Sequence, residues 1–527
     1  MTKNHRTDKH FYDRKLSQAL FILFLTLWGS CTYLWTKQSP SRSGLTVALP
    51  FDPNGSLFPP APSSITTILV RHLYEGLTCV NEQGEVELAL ADGMHVSDDE
   101  TTYTFSLRNR FWSDGSPLTS FDLEQGWKDI LLQFGPEGCP QVMKLITGVT
   151  DFLNNRIPWD QVGIKATQPD QFQVSLNEPD PAFPRVLSLP FLVPRDPTLG
   201  QEKNNGPFFI KSWHPGNLVL KRNPFYPRAH QVHLDEVSIL FLRDEKLSFS
   251  LLEQGQIDLA VFYDQVKPSR QLIRAEPYLL HVIGQSGLTA AILFNRKKQP
   301  LHHLQIRQAL SLAIKREALL EQHSHLNFPA YQLIPPVLAK KEKENTEPYH
   351  KRKEKAKELL EGAIRELHLS TDDFDGLNIL ALEEGPPFIV RQIIRKTWIK
   401  SLGVSLPIEQ PPFEQGIQQL LSGDFNIALL FYQSSCPEND SFLEPFLHGH
   451  LHHLLTPEEK VRFLSEELSI EEMEQTLLDN YIVIPLYHPG YLCGTRLGLK
   501  GVNIDPFFQD IDFSRAYWER TNSFASG

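Results

Sequence analysis

The residues best suited to chemistry in this chain are histidines. His448, His450, His452 and His453 fall within six residues, in the run LHGHLHH. Imidazoles two apart can chelate a metal on a strand, and those four or five apart can do so on a turn or helix. A polar loop after a helix explains the run without any metal, and that plainer reading is preferred. Contact with nickel or haem is the alternative, and a catalytic metal is the least favoured. His302 and His303 stand ahead of a helical stretch and read as structural. The chain has no GxxxxGK[ST], HExxH, GxGxxG or GxSxG. Ser286 lies in Gly284–Gln285–Ser286–Gly287, whose spacing does not make a nucleophile elbow. With 63 Asp and Glu, carboxylate pairs abound, and none stands out as general acid and base. The expectation is a protein that is not an enzyme and carries no metal or cofactor of its own.

The elements around these residues are those of a large soluble α/β protein. At 527 residues the chain exceeds one core, so two or three lobes are expected. The 39 prolines argue against a helical bundle, and the net charge of −12 disfavours nucleic acid as a partner. Strands are predicted at Leu45–Leu49, 102–108, Phe208–Trp213, Leu218–Arg222, Val237–Leu242 and Ile257–Phe262. Further ones are predicted at Leu377–Leu382, Asn426–Tyr432 and Tyr481–Tyr487. Helical periodicity marks Ile65–Leu77, a segment from Ser120 through Trp127 to Leu132, Leu247–Gln254 and Leu304–Glu321. Another helix carries the stripe Leu359, Leu360, Ala363, Ile364 and Leu367. The Lys- and Glu-rich stretch before it, residues 340–358, reads as a solvated loop entering that helix.

The N-terminus has a different character. Lys3, Arg6, Lys9, Arg14 and Lys15 precede Ala19–Trp35, which carries no charge. Gly29 and Ser30 stand before Cys31. This is the plan of an export signal. It resembles the lipobox of bacterial lipoproteins, which implies lipidation at Cys31, although Trp28 stands where that pattern wants Leu. An uncleaved anchor is the alternative, since about 17 apolar residues can just span a bilayer. Simple cleavage of the signal is the third reading; all three export the body of the protein, and the first two tether it to a membrane. Cys79, Cys139, Cys436 and Cys493 would remain, as free thiols or in one or two disulfides.

Five segments carry a resemblance. The first is Leu73–Asp122, which includes LYEGL, SDDETTYTFSLR and WSDGSPLTSFD. The others are NGPFFIKSWHPGNLVLKRNPFYP (Asn205–Pro227) with LEQGQIDLA (Leu252–Ala260), Phe294–Leu320, Lys353–Ala363 and Ile482–Trp518. In this order they resemble the oligopeptide- and dipeptide-binding proteins of ABC importers. The resemblance implies a two-lobed α/β periplasmic-binding-protein fold with a hinged cleft and an extra inserted subdomain. It implies the division 1–43 signal, anchor and linker; 44–75 lobe I; 76–189 inserted subdomain; 190–286 lobe I; 287–487 lobe II; 488–527 lobe I. The expected partners are a small peptide ligand and a membrane permease, and the protein is expected to act as a monomer. A nickel- or haem-binding relative using His448–His453, and a surface adhesin that has lost transport, are the competing readings.

The resemblance also supplies site residues. Asp424–Phe446 is similar, without a gap, to a family tract whose aspartate pairs with the peptide α-ammonium; that position is Ser435 here. Tyr432 stands for the family's Trp, and Glu438 or Asp440 is the candidate to replace the missing charge. Ser64 and Ile65 match a segment that pairs with ligand backbone, and Phe294 and Asn295 match the start of the second lobe.

Overall fold

Two large sheets organise the chain, as seen in a computed structural model that describes residues 43–505 and 510–519. Within those ranges it leaves out residues 51, 54–56, 58–63, 82–84, 196–202, 263–279, 284–285, 323–326, 340–346, 383–384, 434–441, 448, 450 and 466–467. Gly44–Tyr517 is one compact unit; Met1–Ser43 with Trp518–Gly527 is a second, and almost all of it lies outside the described residues. In chain order the main elements begin with β1 (Gly44–Leu49), α1 (Ser64–Leu73), β2 (Gly93–Val96), β3 (Thr102–Ser106) and α2 (Ser120–Gly138). Next come β4 (Ile164–Gln168), β5 (Gln171–Ser175), β6 (Phe208–His214), β7 (Asn217–Arg222), β8 (Glu236–Phe241) and α3 (Glu245–Glu253). Then follow β9 (Leu259–Phe262), β10 (Leu280–Ile283), β11 (Leu288–Phe294), α4 (Leu304–Leu312), α5 (Arg316–Gln322), β12 (Phe328–Pro329) and α6 (Tyr349–Glu366). The rest are β13 (Ile379–Ala381), α7 (Phe388–Leu402), β14 (Ile408–Glu409), α8 (Phe413–Ser422), β15 (Ile427–Gln433), β16 (Val483–His488) and β17 (Tyr491–Thr495).

The first sheet has seven strands in the order β10-β17-β9-β1-β8-β7-β6. The second has six, β12-β16-β11-β15-β13-β14. A third, β2-β3-β5-β4, belongs to the segment between β1 and β6, with α2 packed on it. This is the mixed α/β architecture expected.

The six-stranded sheet shows why its strands read as continuous apolar runs. Ala290, Ile292 and Phe294 on β11, with Ile427 and Leu429 on β15, face one core, under α4, α6 and α7. The alternate residues Ala291, Leu293, Ala428, Leu430 and Tyr432 face a second core built around Phe442, Phe446 and Leu477. A strand covered on both faces has no polar side to show.

Two predicted helices differ from what forms. The helix expected over Leu304–Glu321 is two, α4 and α5. At the break Ile314 N–H turns to Ser311 O. Trp398 Nε1 donates to Leu310 O at 2.8 Å, Tyr349 Oη to Ala313 O at 3.1 Å and Arg352 Nη1 to Ile314 O at 3.4 Å. Side chains from α6 and α7 thus take carbonyls that a continuous helix would have used. The helix expected over Ile65–Leu77 ends at Leu73, whose carbonyl accepts from Gly206 N–H. Asn205 then grips Glu75 from both sides, accepting from its N–H and donating to its C=O. Cys79, Cys139 and Cys493 are free thiols.

Candidate functional site

Strand direction locates the site. In the seven-stranded sheet β1 runs parallel to β8 and β9, so their C-terminal ends share one edge. The antiparallel pairs Phe262↔Leu492 and Ile283↔Tyr491 place the start of β17 and the end of β10 at that edge too. In the six-stranded sheet β13 runs parallel to β14 and β15. Leu288↔Gln433 and Ala290↔Tyr487 set the start of β11 and the end of β16 beside their C-terminal ends. The chain passes between the sheets twice, from Ile283 to Leu288 and from His488 to Tyr491. Both crossings join the edge where one sheet's parallel strands end to the corresponding edge of the other. In open α/β sheets ligands bind outside the carboxyl ends of the strands.

The crossings are tied by buried polar side chains. Ser286 Oγ, on the first crossing, donates to Pro489 O on the second at 2.7 Å. Thr289 Oγ1 lies 2.7 Å from Leu333 O and 3.0 Å from His488 Nδ1. A hydroxyl has one proton, and Leu333 O can only accept it. Thr289 therefore accepts from His488, whose Nδ1 carries a proton. Burial of His488 pushes its pKa down from 6.5 to about 4, against a smaller opposing effect of a backbone hydrogen bond with Leu288. Arg316, also buried, donates through Nε to Pro485 O at 2.8 Å and Ala330 O at 3.1 Å, and burial lowers its pKa to about 10.

The far wall of the six-stranded sheet is held by Arg391, on the first turn of α7. Its Nε donates to Pro386 O at 2.7 Å, Nη1 to Gln410 Oε1 at 2.7 Å and Nη2 to Leu382 O at 3.3 Å. These acceptors follow the C-terminal ends of β13 and β14. No carboxylate among the described residues pairs with this guanidinium, and burial lowers its pKa. Beyond it Phe388 is 69% exposed.

The residues singled out from sequence divide into two groups. Ser435, Glu438 and Asp440 lie outside the described residues, as do Cys31, His448 and His450. The others lie on or beside these strands or at the start of α1. Phe294 is fully buried at the far end of β11 from the crossing. Asn295 follows it, and its Nδ2 donates to Gly423 O at 3.0 Å and Phe425 O at 2.8 Å. Tyr432 is buried near the C-terminal end of β15, stacked on Phe446, with its hydroxyl donating to Phe442 O at 2.5 Å. Ser64 opens α1, the helix that follows β1, and Ile65 is buried beneath it. The C-terminal part of α1 is anchored through His72, whose Nδ1 donates to Ile68 O at 2.7 Å and whose Nε2 accepts from Phe513 N–H at 3.0 Å. In the histidine run, His452 Nδ1 donates to Gly449 O at 2.8 Å and His453 meets Phe425 edge-on. Among the described residues no three His, Cys, Asp or Glu are grouped to hold a metal, and no helix is long and apolar enough to cross a membrane.

Sequence reasoning passed over His488, Thr289 and Arg391. Pro489–Gly490 between two apolar runs was the available signal, since it marks a sharp change of direction.

Comparison with known proteins agrees with this geometry. Residues 85–450 match the family described as bacterial extracellular solute-binding proteins, family 5. An oligopeptide-binding protein of Bacillus subtilis is 26% identical over 455 residues, covering 81% of this chain and 83% of its own. The Escherichia coli murein tripeptide binding protein superposes with a TM-score of 0.75 at 22% identity, over 92% of this chain and 99% of its own. A Haemophilus influenzae OppA in complex with the peptide RPPGFSPFR gives 0.75 at 18% identity, over 92% of this chain and 100% of its own. These relatives are named as binding proteins, and none as an enzyme.

Proposed function

Because the chain belongs to the bacterial extracellular solute-binding proteins of family 5, we propose that it captures peptides for an ABC importer and hands them to a membrane permease. The observation that carries this is the meeting of two sheets, each by the C-terminal ends of its parallel strands, at two hydrogen-bonded crossings. Two crossings close together make a hinge, and the strand ends on either side make the walls of a cleft. A peptide held there exposes backbone N–H and C=O groups that must find partners when the cleft closes. Strand ends and loops supply them by backbone pairing, which gives affinity with little demand on side chains. Lobe I then comprises 44–75, 190–286 and 488–527, lobe II 287–487, and 76–189 is the inserted subdomain. The tether is the N-terminal segment, through lipid on Cys31 or through Ala19–Trp35 as an uncleaved anchor.

With Ser435 where the related tract carries an acid, the preferred ligand has a blocked or displaced amine, as in peptides derived from the cell wall. Glu438 and Asp440 are the candidates to replace the charge. Calorimetry with a tripeptide-to-pentapeptide pool should give heat and a raised melting temperature; silence in both assays would end the peptide reading. Ser435→Asp should tighten binding of free-amine peptides, and unchanged or weaker affinity would show that Ser435 does not meet the amine. Cys31→Ala should release the protein from membranes if the tether is lipid, and leave it bound if the tether is the apolar segment.

A further inference from the structure

The short strand β12 pairs with the end of β16, Phe328 opposite His488 and Pro329 opposite Tyr487. This places Asn327 against the second crossing, where its Oδ1 accepts from Gly490 N–H at 3.2 Å. Its Nδ2 is buried and has no acceptor, and the whole residue is only 6% exposed. A buried donor left unmatched is costly, and native proteins hold few of them.

Neighbouring acceptors at the crossing are engaged elsewhere. Pro489 O takes Ser286 Oγ, Leu333 O takes Thr289 Oγ1, and Ala330 O and Pro485 O take Arg316. Other buried N–H donors in the same condition among the described residues include Trp127 Nε1, Asn204 Nδ2 and Arg395 Nε, the last on α7. Trp127 sits under α2 against Phe172 of the four-stranded sheet. Asn204 precedes β6, at the opposite edge of the seven-stranded sheet from β10 and β17. Asn327 stands where the strand ends of both sheets meet, beside the second crossing.

We propose that Asn327 reads the ligand: Nδ2 donates to a carbonyl or carboxylate oxygen of a peptide in the cleft, while Oδ1 stays on Gly490 N–H. One amide side chain thereby ties the ligand to the crossing on which the two sheets turn. The inference rests on the peptide-binding reading above and names a contact within that site.

Two variants separate this role from simple bracing. Asn327→Asp keeps an acceptor for Gly490 and removes the donor; Asn327→Ala removes both without adding charge. Binding of the peptide pool is measured by calorimetry, and ligand-free melting by scanning fluorimetry. Both variants should weaken binding about tenfold or more, the usual cost of a lost hydrogen bond in a buried site. N327A, which adds no charge, gives the ligand-free reference: it should melt within a few degrees of wild type, since Nδ2 has no partner to lose and only the long Oδ1 contact to Gly490 goes. Wild-type affinity in both variants would overturn the inference and leave the peptide reading intact. A wild-type protein that binds no peptide removes the peptide reading, and this contact falls with it.

Discussion

His488 should make the hinge acid-sensitive by an amount that can be worked out. Its imidazole is 1% exposed, and its Nδ1 proton is committed to Thr289. Burial lowers its pKa from 6.5 to about 4. A group whose folded pKa is depressed below its unfolded value contributes stability that is fully present above pH 6.5. That stability is lost as pH falls toward 4, because the unfolded chain binds the proton first. Each unit is worth about 1.4 kcal/mol, so the window from 6.5 to 4 should remove about 3 kcal/mol. His488→Asn isolates this, because an amide can still donate to Thr289 but does not titrate. Urea unfolding of both proteins at half-unit steps from pH 7.5 to 4 is the assay, with midpoints converted through a common slope. Glu75 and Asp510, both raised in pKa mainly by burial, titrate in both proteins and cancel in the difference. The wild type should lose about 3 kcal/mol more than the variant across the window. Parallel curves would refute the burial argument.

Two other positions test the framework. Tyr432→Phe removes the buried hydroxyl that serves Phe442 O and should cost about 1–2 kcal/mol in urea unfolding, with ligand affinity little changed; an affinity loss beyond tenfold would mean that Tyr432 touches ligand after all. At Gly206 an added Cβ would meet Leu73 C at 2.6 Å and Tyr74 N at 2.7 Å, both backbone atoms at the end of α1. Gly206→Ala should therefore lower stability by about 1–3 kcal/mol, read as a falling melting temperature, and an unchanged one would show that this junction yields.

The parts of the fold legible in sequence are those set by local pattern. Asn426–Tyr432 reads as a strand, and its apolar run turns a row of side chains to each of two cores, as does its neighbour Leu288–Phe294, which sequence reasoning passed over. The break between α4 and α5 was not legible, because its carbonyls are satisfied by Trp398, Tyr349 and Arg352 from helices far along the chain. The second crossing illustrates the same limit. Pro489–Gly490 reads as a turn, and a turn between apolar strands suggests a hairpin. Its flanking strands instead join different sheets, with β16 pairing to β11 and β17 to β9. Partner choice of that kind is decided by strands about 200 residues away, as Ser286 and Pro489 are 203 apart. Of the residues carried over by resemblance, Tyr432 came from the Asp424–Phe446 tract and Phe294 and Asn295 from the start of the second lobe; all three are buried, and Tyr432 and Asn295 bond backbone carbonyls. The polar groups at the crossings carry no motif and were missed.

Arg391 is the sharpest case of a charge that composition would assign to the surface and that the fold uses inside. Its guanidinium spans three acceptors on two loops, Pro386 O and Leu382 O after β13 and Gln410 after β14. Such a span needs donors pointing in several fixed directions from a planar fork, and an ammonium on a flexible stem cannot reproduce them. Arg391→Lys should therefore cost nearly as much as Arg391→Met, about 2–3 kcal/mol each, since both leave buried acceptors unpaired. If charge alone mattered, Lys would restore most of the loss. The loops it ties follow the strand ends that form one wall of the cleft, so peptide affinity should fall in both variants along with stability. A Lys variant with wild-type stability and affinity would mean that the loops hold their shape without the fork. The rigidity of that wall would then have to come from packing beneath α7.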